Sequence, residues 1–145
     1  MLRAVGGVIL GYLTMAVLVF VLFTVAYLAM GADEAFRPGD YEVSPLWVGT
    51  SVVLGLVAAV AGGVVCAAVS RLPKPPLVLA VVVLVLGVLS AIPVLTASAG
   101  EQEARTGDVS NMDAMMKARQ PAWAALMYPV LSAAGVLAGA RLRRA

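Results

Sequence analysis

All eight acidic residues of this 145-residue chain fall in two segments, and the remainder contains four apolar runs without a single Asp or Glu. Asp33, Glu34, Asp40 and Glu42 lie between residues 31 and 45, and Glu101, Glu103, Asp108 and Asp113 between 98 and 120. The runs cover residues 4–30, 46–70, 77–97 and 122–140. A helix of about 20 apolar residues crosses a hydrocarbon core of ~30 Å, and each run meets that length. The first two exceed it, which predicts tilt or an extension beyond the core. Lipid offers the backbone no hydrogen-bond partners, so each run must be helical, even through Val-rich stretches such as Val81–Val83. At 62% hydrophobic residues and a mean hydropathy of +0.99, the chain carries more apolar surface than a soluble domain of this length can bury. The expected fold is all-α: residues 1–145 form one membrane domain, an antiparallel bundle of four transmembrane helices with outer loops 31–45 and 98–120.

The basic residues orient this bundle. Arg3, Arg71, Lys74, Arg141, Arg143 and Arg144 flank the runs on one side with no acid beside them. Arg37, Arg105, Lys117 and Arg119 lie among the eight acids on the other. The positive-inside rule then assigns both termini and the Arg71–Pro76 turn to the cytoplasm, in a multi-pass protein of the cell (inner) membrane. Only Arg3 precedes the first run, whose apolar stretch is about twice the ~7–15 residues of a signal-peptide core, so it reads as a retained anchor. Trp47 and Trp123 each open a span at the outer interface, where indole rings anchor.

The two acidic loops resemble each other. With one gap at Phe36, Glu34-Ala35, Arg37, Gly39 and Asp40 match Glu103-Ala104, Arg105, Gly107 and Asp108, and Pro45-x-Trp47 matches Pro121-x-Trp123. This pattern predicts two tandem helical hairpins related by a pseudo-twofold axis along the membrane normal. Recurrent turn chemistry is the competing explanation. In the duplicated arrangement Arg37, Asp40, Arg105 and Asp108 form a polar outer cap.

Small residues recur at helical spacing: Gly7 and Gly11 in the first span, Gly55, Ala59 and Gly63 in the second, Gly135 and Gly139 in the fourth. Four apart, they share a helix face and mark packing seams. The third span has only Gly87 in its middle, which predicts the most lipid-facing helix, with Val83 tolerant of substitution. Pro129 should kink the fourth span.

Chemistry is sparsely provided. There is no His, and the one cysteine, Cys66, excludes an internal disulfide. By size the chain compares with small four-helix multidrug transporters, but those rely on a membrane carboxylate, and no span contains one. The loop carboxylates match no ordered oxygen-ligand spacing for Ca²⁺, so no metal site and no cofactor are expected. Ser110 and Asp113 form a weak capping box ahead of Met112, Met115 and Met116, three thioethers on one face of a short helix. The Met face is expected on the bilayer surface or over the bundle. No catalytic residues and no nucleic-acid role are expected. The partners are the lipid bilayer and either a membrane protein or further copies of this chain. The function expected is that of a non-enzymatic accessory or scaffold subunit of a membrane complex. The alternative is an oligomeric small-molecule transporter or a lipid- or quinone-binding protein.

Overall fold

The computed structural model describes residues 2–96, 104, 106, 107 and 109–143. In chain order the elements are α1 (Leu2–Met30), α2 (Ala32–Ala35), α3 (Pro45–Ser70), α4 (Lys74–Thr96), α5 (Asn111–Lys117) and α6 (Ala122–Leu142). The described residues contain no strand. Helices α1, α3, α4 and α6 are each long and apolar enough to cross a membrane, which fits a small integral membrane protein.

Local chemistry sets the helix boundaries. Ser44 caps α3, its hydroxyl accepting from the Trp47 N–H at 3.0 Å, and Pro45 takes the first helical position, where no N–H is needed. Helix α3 ends at Arg71, which adopts a left-handed φ of 54° and donates its N–H to the Ala67 carbonyl. Pro75 and Pro76 lie in the first turn of α4, so that helix starts at Lys74, three residues before the apolar run. Ser110 caps α5 by accepting from the Asp113 N–H at 3.2 Å. Helices α4 and α6 continue through Pro93 and Pro129.

Packing runs in the order α1, α3, α6, α4, with α4 touching α1 more lightly. Small residues make the contacts close. A Cβ added to Gly7 would lie 2.8 Å from the Ser70 Cβ and 2.9 Å from the Cys66 carbonyl oxygen; one added to Gly11 would lie 2.8 Å from the Gly62 carbonyl oxygen. One added to Gly63 would lie 2.1 Å from the Val136 carbonyl oxygen, and one added to Gly139 would lie 2.0 Å from that of Val60. Gly135 faces Ala59. Without the hydrophobic driving force of water, such backbone approach is what holds helices together in lipid. Met15, Ala59, Cys66, Leu79, Ala80 and Val136 form the core that these contacts enclose.

Two expectations need correction. Gly55 lies on no seam, because nothing stands within 4 Å of a Cβ placed there. Its neighbours along α3 make the close contacts instead: Gly62 meets Met15 and Gly11, Ala59 meets Gly135, and Gly63 meets Val136. Nor is the third span the most exposed. Only Gly7, Gly11, Met15 and Tyr27 of α1 are buried, whereas α4 buries Pro75, Pro76, Leu79, Ala80 and Ala91. Gly87 of α4 accommodates the Pro129 ring, whose Cγ would lie 2.6 Å from an added Cβ, and Val83 packs on the core.

Candidate functional site

The end of the molecule that carries the acidic loops has a folded cap over an aromatic cavity. Its first part follows from Arg37-Pro38-Gly39-Asp40. Proline presets the second position of a turn, and glycine supplies the positive φ, here 72°, that the third position of a type II turn requires. The turn closes with the Asp40 N–H donating to the Arg37 carbonyl at 3.2 Å. Flanking it, the Arg37 N–H donates to the Glu42 carbonyl at 2.9 Å. Ser44 ties the loop to its own start: its N–H donates to the Ala35 carbonyl at 2.8 Å and its hydroxyl to that of Glu34 at 2.5 Å.

The second loop docks on this edge. The Val43 N–H donates to the Arg119 carbonyl at 3.0 Å, and the Arg119 N–H donates to the Tyr41 carbonyl at 2.9 Å. The Arg119 guanidinium pairs with the Asp40 carboxylate. That pairing, helped by the Tyr41 N–H, holds the Asp40 carboxyl below its ordinary value of 3.8 against the opposing effect of desolvation. Lys117 places its ammonium 5.4 Å from the centre of the Tyr41 ring. Further along, the Tyr27 hydroxyl donates to the Val109 carbonyl at 2.6 Å and the Asn111 amide donates to the Thr24 hydroxyl at 3.2 Å. Both loops are thereby fastened to each other and to α1.

Beneath the cap lies a cavity of about 190 Å³, lined by Phe20, Phe23 and Tyr27 of α1, Phe36, Trp47 of α3, and Asn111, Ala114 and Met115 of α5, with Ala118 and Gln120. All three phenylalanines of the chain take part. The rings meet edge to face: Tyr27 lies 6.4 Å from Phe36 and 6.1 Å from Trp47. The cavity is open on one side, where Phe20 and Met115 are exposed. Since an engineered cavity of about 150 Å³ holds one benzene, it has room for one ring or a short hydrocarbon segment. On the far side of Ala118 and Gln120 a second, more polar hollow of about 340 Å³ lies between α4 and α6, lined by Ser90, Tyr128 and Ser132 among others.

The residues expected to form the cap are only partly assembled. Arg37 pairs with Glu42 at 3.3 Å, well exposed, and not with Asp40. The partner of Asp40 is Arg119, which the sequence marked only as one charge on the acidic side. Arg105 and Asp108 lie outside the described residues. Trp47 is half-buried in the cavity wall, whereas Trp123 is 60% exposed. Met112, Met115 and Met116 are exposed while Ala114 is buried; Met112 and Met116 turn outward, and Met115 also edges the cavity. The aromatic cavity was not anticipated, yet a signal existed: Phe20, Phe23 and Tyr27 stand at i, i+3 and i+7, one face of one helix. Comparisons with protein-family models, curated proteins and solved structures find no match for this chain.

Proposed function

We propose that this protein is a non-enzymatic accessory protein of the membrane that holds one ring or chain segment of a lipid-like molecule, such as a quinone or a prenyl lipid, in the cavity under its outer cap. The observation that carries this reading is the gathering of all three phenylalanines with Tyr27 and Trp47 around one void. Asn111 and Gln120 at its rim supply amide groups for a polar ring substituent.

Purification in mild detergent followed by mass spectrometry of the extracted lipids tests it. The expected result is one apolar ring- or chain-bearing molecule per protein, lost in Phe20→Trp, which fills the void. Absence of any stoichiometric molecule, or equal retention by the variant, overturns the reading. A scaffold role is the second reading. It rests on the exposure of Met112, Met115, Met116 and Trp123 at the same end, and predicts a stoichiometric protein partner in that purification.

Two features of the architecture belong to the same proposal. The termini and the Arg71–Lys74 turn face the cytoplasm across the inner membrane, supported by six basic residues unopposed by acid. The two hairpins are copies. Pro45 and Trp47 stand 76 residues before Pro121 and Trp123, and the same separation relates Val60 and Gly63 to Val136 and Gly139. These last four form a reciprocal contact: Gly63 faces the backbone of Val136, and Gly139 faces that of Val60. A twofold axis requires this reciprocity, since whatever one copy does to its partner, the partner does in return. Gly39 and Gly107, 68 apart, share positive φ values of 72° and 75°. The difference between 68 and 76 implies eight extra residues in the second loop, and the seven residues of α5 lie in that stretch.

A further inference from the structure

We propose that the basic end of the bundle, opposite the aromatic cavity, binds one anionic phospholipid, its phosphate against Arg3, Ser70 and Arg71 and one acyl chain in the groove between α1 and α4. The site starts from an anomaly in hydroxyl chemistry. In an apolar helix a Ser or Thr hydroxyl ordinarily donates to the carbonyl four residues back. Thr14, Thr50, Ser90 and Thr96 all do so, at 2.8–2.9 Å. Ser70 does not. It is only 2% exposed, and its hydroxyl has no hydrogen-bond partner in the protein. Buried polar groups are almost always satisfied, so an orphaned hydroxyl calls for a partner from outside the chain.

The surroundings identify that partner's charge. Ser70 lines a hollow of about 520 Å³ together with Arg3 and Arg71. No Asp or Glu occurs between Glu42 and Glu101, nor before Asp33, so neither guanidinium has a carboxylate near it in sequence. Two guanidinium groups and a hydroxyl are donors suited to a phosphate oxygen set. The adjoining surface identifies the source of the phosphate. Ala4 and Leu72 belong both to this hollow and to a groove of about 390 Å³ between the starts of α1 and α4. Val5, Val8, Ile9 and Val78 continue that groove in the direction of the membrane interior. A free anion has no use for an apolar groove, whereas a phospholipid brings both chemistries joined. Lys74 at the groove's mouth adds a third positive charge.

Arg71 also offers a clean variant. Its φ of 54° suits Asn nearly as well as any residue but Gly, so Arg71→Asn removes the charge while keeping the helix end. The test is native mass spectrometry of the full-length protein released from micelles containing phosphatidylglycerol or phosphatidylcholine. One phosphatidylglycerol should be retained about tenfold or more in preference to phosphatidylcholine, consistent with two or three basic contacts. The double variant Arg3→Gln/Arg71→Asn should remove that preference. Ser70→Ala should weaken retention, and Val5→Trp, which occludes the groove at an exposed position, should reduce it without changing thermal stability. Arg37→Gln, at the opposite end, should leave it intact. Equal retention of the two lipids, or loss in Arg37→Gln to the same degree, overturns the proposal. So does protection by inorganic phosphate alone that survives Val5→Trp, because it assigns the site to a free anion. Failure of the aromatic cavity to hold a ligand leaves this experiment unaffected, since the two sites share no residue.

Discussion

The cost of one methyl group separates seam from surface. Gly63→Ala and Gly139→Ala each drive a Cβ to about 2 Å from a carbonyl oxygen of the facing helix. Backbone cannot yield as a side-chain tip does, so each should lower stability by about 1–3 kcal/mol. Gly55→Ala meets nothing and should be neutral or gain up to about 1 kcal/mol from helix propensity. Thermal unfolding in detergent reads all three, and equal losses would refute the assignment of faces. Asp40 gives a pH signature at the same scale. Its carboxyl is depressed by Arg119, so the stabilisation is fully present above the ordinary value of 3.8 and is lost as pH falls below it through the folded value. Protection of the Val43 and Arg119 amides, whose N–H groups join the two loops, should therefore fall in strong acid relative to their intrinsic exchange rates. In Asp40→Asn that protection should be lower at neutral pH and show no further acid-dependent loss. Identical acid profiles for both proteins would remove the ion pair from the account. In the sequence Gly63, Gly139 and Gly55 are alike small residues at helical spacing, and spacing alone cannot distinguish the three. What separates them is what stands opposite: the backbone of Val136 or Val60 for the first two, and nothing within 4 Å for Gly55. Arg119 was invisible for a related reason: its pairing with Asp40 spans 79 residues and depends on how two loops meet.

The short and long helices differ in what made them readable. Helix α5 was legible because its determinants are local: Ser110 at the cap, Asp113 three residues on, and three methionines on one face. Ser110→Ala removes the acceptor for the Asp113 N–H and should cost about 1 kcal/mol of local stability. Faster amide exchange at Ala114 and Ala118, with unchanged exchange in α3, would register it, and unaltered protection would show that the cap contributes nothing. Composition ranks α1 and α4 in the wrong order because lipid exposure is a property of neighbours. Val-rich α4 resembles a lipid-facing helix in composition, yet Gly87 opposite Pro129 seats it firmly on α6. Glycine-marked α1 spends its small residues on one narrow stripe and exposes Val17, Phe20, Val21 and Val25. Accordingly Val83→Leu should be felt and Val17→Leu should not, the reverse of what composition implies. A thermal shift in Val17→Leu equal to that in Val83→Leu would restore the original ranking.

At the scale of the whole molecule the seam between α3 and α6 is self-complementary, and this makes the duplication testable. Helix α3 presents Val60 and Gly63, and α6 presents Val136 and Gly139, the same two residue types at the same spacing, each glycine received by the other helix's valine backbone. A surface that fits a partner carrying its own pattern should also fit a copy of itself. Each hairpin contains its own pair of closely packed spans, α1 on α3 and α4 on α6, and spans insert before they associate laterally in the membrane. The hairpin of residues 1–74, produced alone, should therefore form a homodimer, with Gly63 of each copy against Val60 of the other. Sedimentation in detergent measures the association, and disulfide capture of an Ala59→Cys variant reports the geometry. Ala59 faces Gly135, 76 positions later, so in the homodimer the two copies of residue 59 should meet at the axis. Gly63→Leu should return the hairpin to monomer, because a bulky side chain holds apart the backbones that glycine lets touch. A hairpin that stays monomeric, or a dimer indifferent to Gly63→Leu, would mean that the reciprocal contact arose from two unrelated helices, and would leave the paired Gly-Asp turns to turn chemistry alone.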